Sequence, residues 1–223
     1  MKHLRWLIPV FIIAFCFLGF LIAPNDPEAM DIVNKYAAPS VDFPLGTDQF
    51  GRCELSRLLY GGKVTLGIVL LGGSIVLVLG TLIGLWLGQA NAAKSLAFSS
   101  LLDAVTAIPP LAYLIIFVGI WGNSIPTMLV ALTVSLILRM IKLVKTQTEL
   151  ELDKAYVLCA VSSGASRSRV LFVHILPNII RPLVHFLCLS CAEMIMNISA
   201  FSFIGLTPVS YTHLRAHETL ANL

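Results

Sequence analysis

The sequence predicts an all-α protein, a polytopic bundle of transmembrane helices, and three observations lead to this prediction. Hydrophobic residues make up 57% of the 223 positions, and charged residues make up only 12%. Mean hydropathy is +0.89. Several apolar runs approach or exceed the roughly 20 residues that a helix needs to cross a bilayer. So little polar surface cannot cover these runs in water, so we expect a lipid bilayer around the chain.

Five segments are long and apolar enough to be membrane-spanning helices. They cover residues 6–23, 64–88, 96–121, 125–140 and 175–206. The first segment follows Lys2 and Arg5, as a signal peptide would, but no small-residue cleavage site comes after it. We therefore interpret it as an uncleaved anchor. This divides the chain into an anchor helix with an external loop (1–63), a membrane core (64–206) and a tail (207–223).

Within the core, glycines and prolines predict how the helices pack and bend. Gly80, Gly84 and Gly88 recur at four-residue spacing in the second span, which predicts close approach of a neighbouring helix. Pro109 and Pro110 lack backbone donors, so we expect them to bend or break the third span. Such a bend leaves room for a pathway or for motion.

Two acids, Asp103 and Glu193, fall in or near predicted spans. Ionisable groups in lipid are costly, so both are candidates for a transport pathway, together with the bend at Pro109. For Asp103 the alternative is a position at the cytoplasmic interface, and for Glu193 it is ordinary helix packing.

The distribution of charge predicts the orientation. Lysine and arginine exceed acids between residues 139 and 181, which places this connection in the cytoplasm. Lys2 and Arg5 place the N-terminus there too, whereas the acid-rich loop from 24 to 63 suits the outer side. Five spans alternate consistently with these signals and end outside near Leu206.

Several classes of site are excluded. The five cysteines are an odd number in mostly apolar surroundings, which argues against a disulfide framework. No phosphate-binding loop is present, so any nucleotide must be bound by another chain. His213 and His217 have the helical spacing of metal ligands, but no third ligand is near them in the sequence. A membrane hydrolase would need a nucleophile and a base at one membrane depth, and the sequence shows no such pair. We expect no cofactor, no resident metal and no nucleic-acid partner.

Two motifs carry a resemblance to a known family. The run PLGTDQFGR from Pro44 to Arg52, with Arg57 shortly after it, closely resembles the signature that follows the first span in ABC importer permeases of the dipeptide/oligopeptide/nickel family. Its signature residues here are Gly46, Thr47, Asp48, Gly51, Arg52 and Arg57. The family usually has Asp where this chain has Cys53.

The second motif resembles the cytoplasmic coupling loop of the same permeases, here about residues 141–175. In the family a Glu-Ala-Ala triplet precedes a glycine, and a proline follows that glycine by thirteen residues. Gly164 and Pro177 keep this spacing, and HILPN from His174 matches the usual ending. The triplet itself reads Leu158, Cys159 and Ala160, so the glutamate is replaced by leucine. Arg167 and Arg169 would meet the polar rim of the ATPase, or else simply anchor the cytoplasmic side.

The resemblance implies function and partners. It implies an inner-membrane permease of a bacterial ABC importer, not itself an enzyme, with a second permease subunit, ATP-binding cassette subunits and an extracytoplasmic substrate-binding protein. A helix ending near Gly164 would rest on the ATPase, and Pro177 would mark the start of the last span. The altered triplet and the apolar Ile198 favour nickel or metal chelates, with di- or oligopeptides as the alternative substrate.

Two further expectations remain. The family continues into a sixth span, whereas PVSYTHLRAHETLANL contains no apolar run, so we expect residues 207–223 to reflect a truncation or reading artefact. The alternative function is a secondary transporter or a membrane scaffold that acts without an ATPase. It would predict inverted repeats or paired broken helices, and the sequence shows no internal repeat.

Overall fold

The structure, a computed structural model, describes residues 14–15, 18–90 and 92–204. Most of the predicted first span and the whole tail from 207 lie outside these residues. Within the described part there is no β-strand, and the one extended pairing is an isolated bridge between Thr47 and Cys53. The described residues up to Ile68 form one compact unit, and those from Val69 onward form another.

Six helices make up most of the described chain. We number them α1 (Glu54–Leu87), α2 (Ala92–Thr106), α3 (Pro110–Trp121), α4 (Ile125–Leu152), α5 (Ala155–Ser162) and α6 (Arg167–Phe203). Short 3₁₀ turns lie at Gly19–Ile22 and Ile32–Asn34. Helices α1, α4 and α6 are each long and apolar enough to cross a membrane, and α2 with α3 makes a fourth candidate as a bent pair. The predicted all-α membrane bundle is confirmed, with three to four spans in this part of the chain.

The glycine stripe of α1 packs against α4, as its spacing predicts. A Cβ built on Gly80 would lie 2.5 Å from Met140 Cγ, one on Gly84 2.6 Å from Val144 Cβ, and one on Gly88 2.6 Å from Thr148 Cβ. The three contacted residues also follow one another at four-residue spacing. Two matched ridges therefore meet along three turns, and only glycine leaves room for the approach.

The proline pair produces the expected bend. Helix α2 ends at Thr106, α3 begins at Pro110, and the two axes meet at 73°. Pro109 cannot donate a hydrogen bond to the Val105 carbonyl four residues before it. The Tyr113 hydroxyl donates to that carbonyl instead, at 2.9 Å. The bend is therefore fixed by a side-chain contact as well as by the prolines.

Two helix boundaries differ from the predicted spans. Helix α4 continues to Leu152 instead of stopping at 140, and α6 begins at Arg167 instead of 175. Hydropathy marks the apolar part of a helix, whereas the backbone continues beyond it because Val144 and Thr148 still pack in the interior. The non-helical part of the connection is correspondingly short.

Pro177 lies in the first turn of the α-helical segment Leu176–Phe203, as the expectation that it marks the start of the last span requires. Ten further residues of α6 nevertheless precede it, and residues Val170–Ile175 among them form a π-helical segment. A proline in a helix interior clashes with the carbonyl four residues earlier, here that of Val173. The wider π turn directly before Pro177 relieves this conflict without ending the helix.

Candidate functional site

The connection between α4 and α6 contains α5, and it ends in a tight turn at Gly164. Gly164 has φ +84°. Its N–H donates to the Val161 carbonyl at 2.9 Å, and the Ala165 N–H donates to the Ala160 carbonyl at 3.0 Å. These two bonds define a Schellman motif, in which the residue after the C-cap adopts the left-handed conformation that glycine favours. The predicted helix end near Gly164 is present.

Helix α6 starts immediately after this turn. Ser166 is its N-cap, with a side chain that accepts a hydrogen bond from the Arg169 N–H at 3.4 Å. Only four residues, 163–166, separate the last residue of α5 from the first of α6. Both ends of this linker are therefore capped, so α5 and α6 are joined by a short, well-defined turn.

A hydrogen-bonded cluster holds the beginning of α5 to the end of α4. Glu151 is buried and accepts hydrogen bonds from Lys154 Nζ and from the Tyr156 hydroxyl, both at 2.6 Å. Burial, and after it the hydrogen bond to Glu151, raise the pKa of Tyr156, so the phenol stays protonated as a donor. Val157 is buried beside it. The first turn of α5 is therefore fixed to the protein body.

The rest of α5 presents apolar side chains to the surface. Leu158 is 68% exposed, and Val161 is exposed too. Cys159 is exposed, and Ala160 is half-buried. Arg167 and Arg169 are exposed on the first turn of α6. We call the group of Leu158, Cys159, Val161, Arg167 and Arg169 the coupling surface.

His174 and Pro177 lie on α6 away from the tip of the connection. His174 is half-buried within the π segment, and its carbonyl accepts a hydrogen bond from Asn178 Nδ2 at 2.8 Å. Pro177 is exposed. Of the residues predicted for the coupling loop, the structure thus groups those from 158 to 169 and places these two further along the helix.

The signature residues of the external loop gather around Asp48. Its carboxylate accepts hydrogen bonds from Arg52 Nε at 2.8 Å, from the backbone N–H of Phe50 at 2.8 Å, and from Arg57. Burial alone would raise the pKa of Asp48, but the Arg52 side chain and the backbone N–H groups of Arg52 and Phe50 outweigh it. The pKa of Asp48 is therefore below its ordinary value.

The other signature residues shape the same loop. Gly46 and Gly51 have φ +80° and +74°. A Cβ on Gly46 would lie 2.5 Å from the Ala37 carbonyl oxygen, and one on Gly51 would overlap that of Asp31. The Thr47 hydroxyl accepts a hydrogen bond from the Ala37 N–H at 2.8 Å and donates to the Asn34 carbonyl. All six signature residues therefore have local structural roles.

Both acids proposed for a pathway are paired with bases of α4. Glu193 of α6 accepts two hydrogen bonds from Arg139 Nη1, at 2.8 and 3.1 Å. Asp103 of α2 forms an ion pair with Lys142. Arg139 and Lys142 line a groove of about 500 Å³, and Pro109 is not among its lining residues. The sequence identified the acids but missed the two bases, which it counted only as signals of orientation.

Lys145 is a third residue that sequence reasoning missed. It is 1% exposed, and its Nζ donates to Ser95 Oγ, Ser99 Oγ and Glu149 Oε1 at 2.7 to 2.8 Å. All three ammonium hydrogens are thus bonded, which is what a buried lysine requires. Two serines four residues apart on α2 were the signal that could have predicted the contact.

Comparison with known proteins gives a family match. Residues 80–220 match the sequence profile of the family described as binding-protein-dependent transport system inner membrane component. The chain belongs to this family. The matched residues contain the bent pair, the coupling surface and all residues that line the groove, so these features lie in the part of this permease that the family shares.

Individual relatives extend the similarity beyond the profile. The chain is 31% identical over 197 residues to the peptide transport system permease protein SapC of Escherichia coli, an alignment that covers 86% of this chain and 67% of the relative. It is 31% identical over 202 residues to the di/tripeptide transport system permease protein DppC of Pseudomonas aeruginosa (87% and 67%). It is 34% identical over 201 residues to SapC of Salmonella typhimurium (86% and 67%).

Proposed function

We propose that this chain is one of two permease subunits of an ATP-driven importer for short peptides. The observation that carries the proposal is the coupling surface on α5, joined to a candidate membrane-spanning helix by a capped turn. Its partners would be a second permease, ATP-binding cassette subunits and an extracytoplasmic binding protein. The family match and the names of the relatives support this assignment.

The geometry suggests how the ATPase acts on the pathway. The ATP-binding subunit would cover Leu158 and Val161, while Arg167 and Arg169 meet acidic groups at the edge of the contact. Because the Schellman turn and the Ser166 cap leave little freedom between α5 and α6, displacement of α5 would tilt α6. Helix α6 packs against α4, so the movement reaches the helices that line the groove.

Leucine at the position of the family glutamate changes the chemistry of this contact. Fully burying a leucine side chain stabilises an interface by about 1.5 to 3 kcal/mol. Leu158 is 68% exposed, so covering it would contribute roughly 1 to 2 kcal/mol. We therefore expect an apolar contact in place of an ionic one, with little dependence on salt at this position.

Co-purification tests the partnership. An affinity-tagged permease is expected to retain its ATP-binding subunit, and Leu158→Asp is expected to release it because the aspartate would be buried without a partner. Val41→Asp is the matched control, since Val41 is equally apolar and exposed in the external loop. Full retention by Leu158→Asp would contradict the proposed docking. Uptake that continues without any ATP-binding subunit would favour a secondary transporter.

The substrate requires a separate measurement. The sequence had favoured nickel or metal chelates, but the relatives compared above are named for peptides, so we propose peptides first. Whole cells that carry the complete importer are expected to accumulate a radiolabelled dipeptide and not radiolabelled nickel, with a strain lacking the permease as control. Nickel accumulation without dipeptide uptake would reverse the assignment.

The orientation is part of the same proposal. The coupling surface must face the cytoplasm to meet an ATP-binding subunit, and the charge distribution places the N-terminus on that side as well. A membrane-impermeant thiol reagent is expected to label Cys159 in inside-out vesicles and not in intact cells. The opposite pattern would contradict this topology.

A further inference from the structure

Two ion pairs lie side by side on α4, at the groove between α2, α4 and α6. Arg139 pairs with Glu193 of α6, and Lys142, one helical turn later, pairs with Asp103 of α2. The four side chains are between 31% and 55% exposed. The two cations line the groove, and the two anions paired with them lie beside it.

Position along α4 indicates what this face meets. With a rise of 1.5 Å per residue, Arg139 and Lys142 lie about 21 and 26 Å along the axis from Ile125. Both residues are therefore near the end of α4 that the charge distribution places towards the cytoplasm. Charged groups that face lipid are costly, so we expect the groove to face water or another subunit, at the inner end of a pathway.

The ion pairs leave part of their bonding capacity open. Glu193 is bound through Nη1 of Arg139, and within the described residues Nη2 and Nε donate no hydrogen bond. Lys142 contacts Oδ1 of Asp103, and among the same residues Oδ2 accepts no hydrogen bond. One pair thus offers a forked donor and the other a carboxylate oxygen.

From this geometry we infer that the groove binds both termini of a short zwitterionic peptide on its way through the permease. The peptide carboxylate binds Nη2 and Nε of Arg139, and the peptide ammonium binds Oδ2 of Asp103. This inference rests on the proposed peptide function and names the residues that act in it. Lys142 and Glu193 are positioning residues, because each holds the group that contacts the substrate.

The size and lining of the groove suit this ligand. Its volume of about 500 Å³ is within the range of small-molecule sites. Two or three extended residues span about 7 to 11 Å. Asp103 is bound to Lys142, which lies one helical turn from Arg139, so both proposed ligands are on the same side of α4. Leu143 and Phe186 line the groove beside the charges and give the peptide side chains an apolar contact.

Charge balance favours a zwitterion over an anionic lipid headgroup. Each cation that lines the groove is paired with an acid beside it, so the two ion pairs together have no net charge with which to attract an anion. A lone anion would bind Arg139 and leave its own charge uncompensated beside Glu193 and Asp103. A zwitterion adds one charge of each sign and keeps the site neutral, which is the arrangement that a partly buried site tolerates.

Photo-crosslinking to the assembled transporter tests the inference. The probe is a dipeptide with free termini and a photoreactive side chain, and its comparator carries an acetylated N-terminus and an amidated C-terminus. We expect the free dipeptide to label fragments that contain Leu143 or Phe186. The blocked dipeptide is expected to label the same fragments at least about tenfold less. Equal labelling by both peptides would overturn the inference.

Neutral double variants identify the charges. Arg139→Gln with Glu193→Gln, and separately Asp103→Asn with Lys142→Gln, remove one pair each without leaving a charge unpaired. Each is expected to reduce labelling by the free dipeptide about tenfold. Arg181→Gln is the control, since Arg181 is exposed on α6 and does not line the groove. Retention of the ATP-binding subunit shows that each variant is assembled.

The outcomes separate this inference from the proposed function. If wild-type cells take up the dipeptide but the double variants are labelled as strongly as wild type, the groove assignment fails and the peptide function stands. If wild-type cells take up no peptide and no fragment is labelled, both fail. A third outcome would identify a lipid site and overturn the inference. In that case unlabelled dipeptide would not reduce labelling by the probe, but phosphatidylglycerol added to the vesicles would.

Discussion

The contact between α1 and α4 predicts a graded response to single methyl groups. A Cβ on Gly84 would lie 2.6 Å from Val144 Cβ and 2.9 Å from the Ile141 carbonyl oxygen. Carbon atoms pack best at about 3.5 to 4.0 Å, so Gly84→Ala would force the helices about 1 Å apart. The contacting atom of Val144 is its branched Cβ, and the contacting atom of Ile141 is a backbone oxygen. Neither atom can move away through rotation of a side chain, so the two helices must separate. Overpacking of this kind costs roughly 1 to 3 kcal/mol.

Two glycines of the same helix provide controls. A Cβ on Gly72 would meet Met194 Cε, the free end of a flexible side chain, and Thr133 Oγ1 at 2.9 Å, but no backbone atom among its nearest neighbours, so Gly72→Ala is expected to cost less than Gly84→Ala. A Cβ on Gly67 would meet nothing within 4 Å. Gly67→Ala is therefore expected to be neutral or to stabilise α1 by about 0.5 to 1 kcal/mol, because alanine restricts the unfolded chain.

Thermal unfolding of the purified, assembled transporter in detergent, followed by tryptophan fluorescence, gives the comparison. The melting temperature should fall in the order Gly67→Ala, Gly72→Ala, Gly84→Ala. Equal melting temperatures for Gly67→Ala and Gly84→Ala would refute the close α1–α4 contact.

Three further predictions concern the turn and the loop. Gly164 has open space around it, but its φ is +84°. Gly164→Val should therefore reduce the free energy of unfolding by roughly 1 to 2 kcal/mol, and Gly164→Asn should reduce it less. Equal melting temperatures for the two variants would contradict a left-handed cap. Ser166→Ala should cost about 1 kcal/mol and uncouple ATP hydrolysis from uptake in part, whereas unchanged coupling would count against a stiff turn. The pKa of Asp48 is lowered on folding, so its ionised carboxylate stabilises the external loop at pH above 3.8, and this stabilisation is lost as pH falls through the folded-state pKa. Limited proteolysis of the external loop measures this effect. Wild type is expected to be cleaved faster in acid than at neutral pH, whereas Asp48→Asn is expected to be cleaved at the fast rate at both pH values.

Local signals in the sequence predicted much of this fold. Four-residue glycine spacing predicted a close helix contact, and the structure places Met140, Val144 and Thr148 against it. Two adjacent prolines predicted the bend of 73°, since a missing donor is a local property. The helix end at Gly164 followed from glycine's conformational freedom. In each case the deciding physics acts within a few residues of the motif.

The errors arose where tertiary contacts decide the outcome. The ends of α4 and α6 lie outside the apolar windows because buried polar residues such as Lys145 continue the helix. Pro177 does lie in the first turn of the α-helical segment Leu176–Phe203, but the sequence did not reveal that a π segment joins it to the preceding turns of α6. Arg139 and Lys142 looked like orientation signals, since no sequence pattern reveals that acids 54 and 39 residues away will pair with them.

Whether α5 is the contact for the ATP-binding subunit is most directly tested with Cys159, which is exposed on that helix. A variant that keeps Cys159 and replaces the other four cysteines by serine would be labelled with a maleimide in inside-out vesicles, with and without the ATP-binding subunit. The proposed coupling predicts that the labelling rate of Cys159 falls at least tenfold when the subunit is bound, as expected for a fully covered side chain. An unchanged labelling rate in a complex that hydrolyses ATP and imports peptide would contradict it.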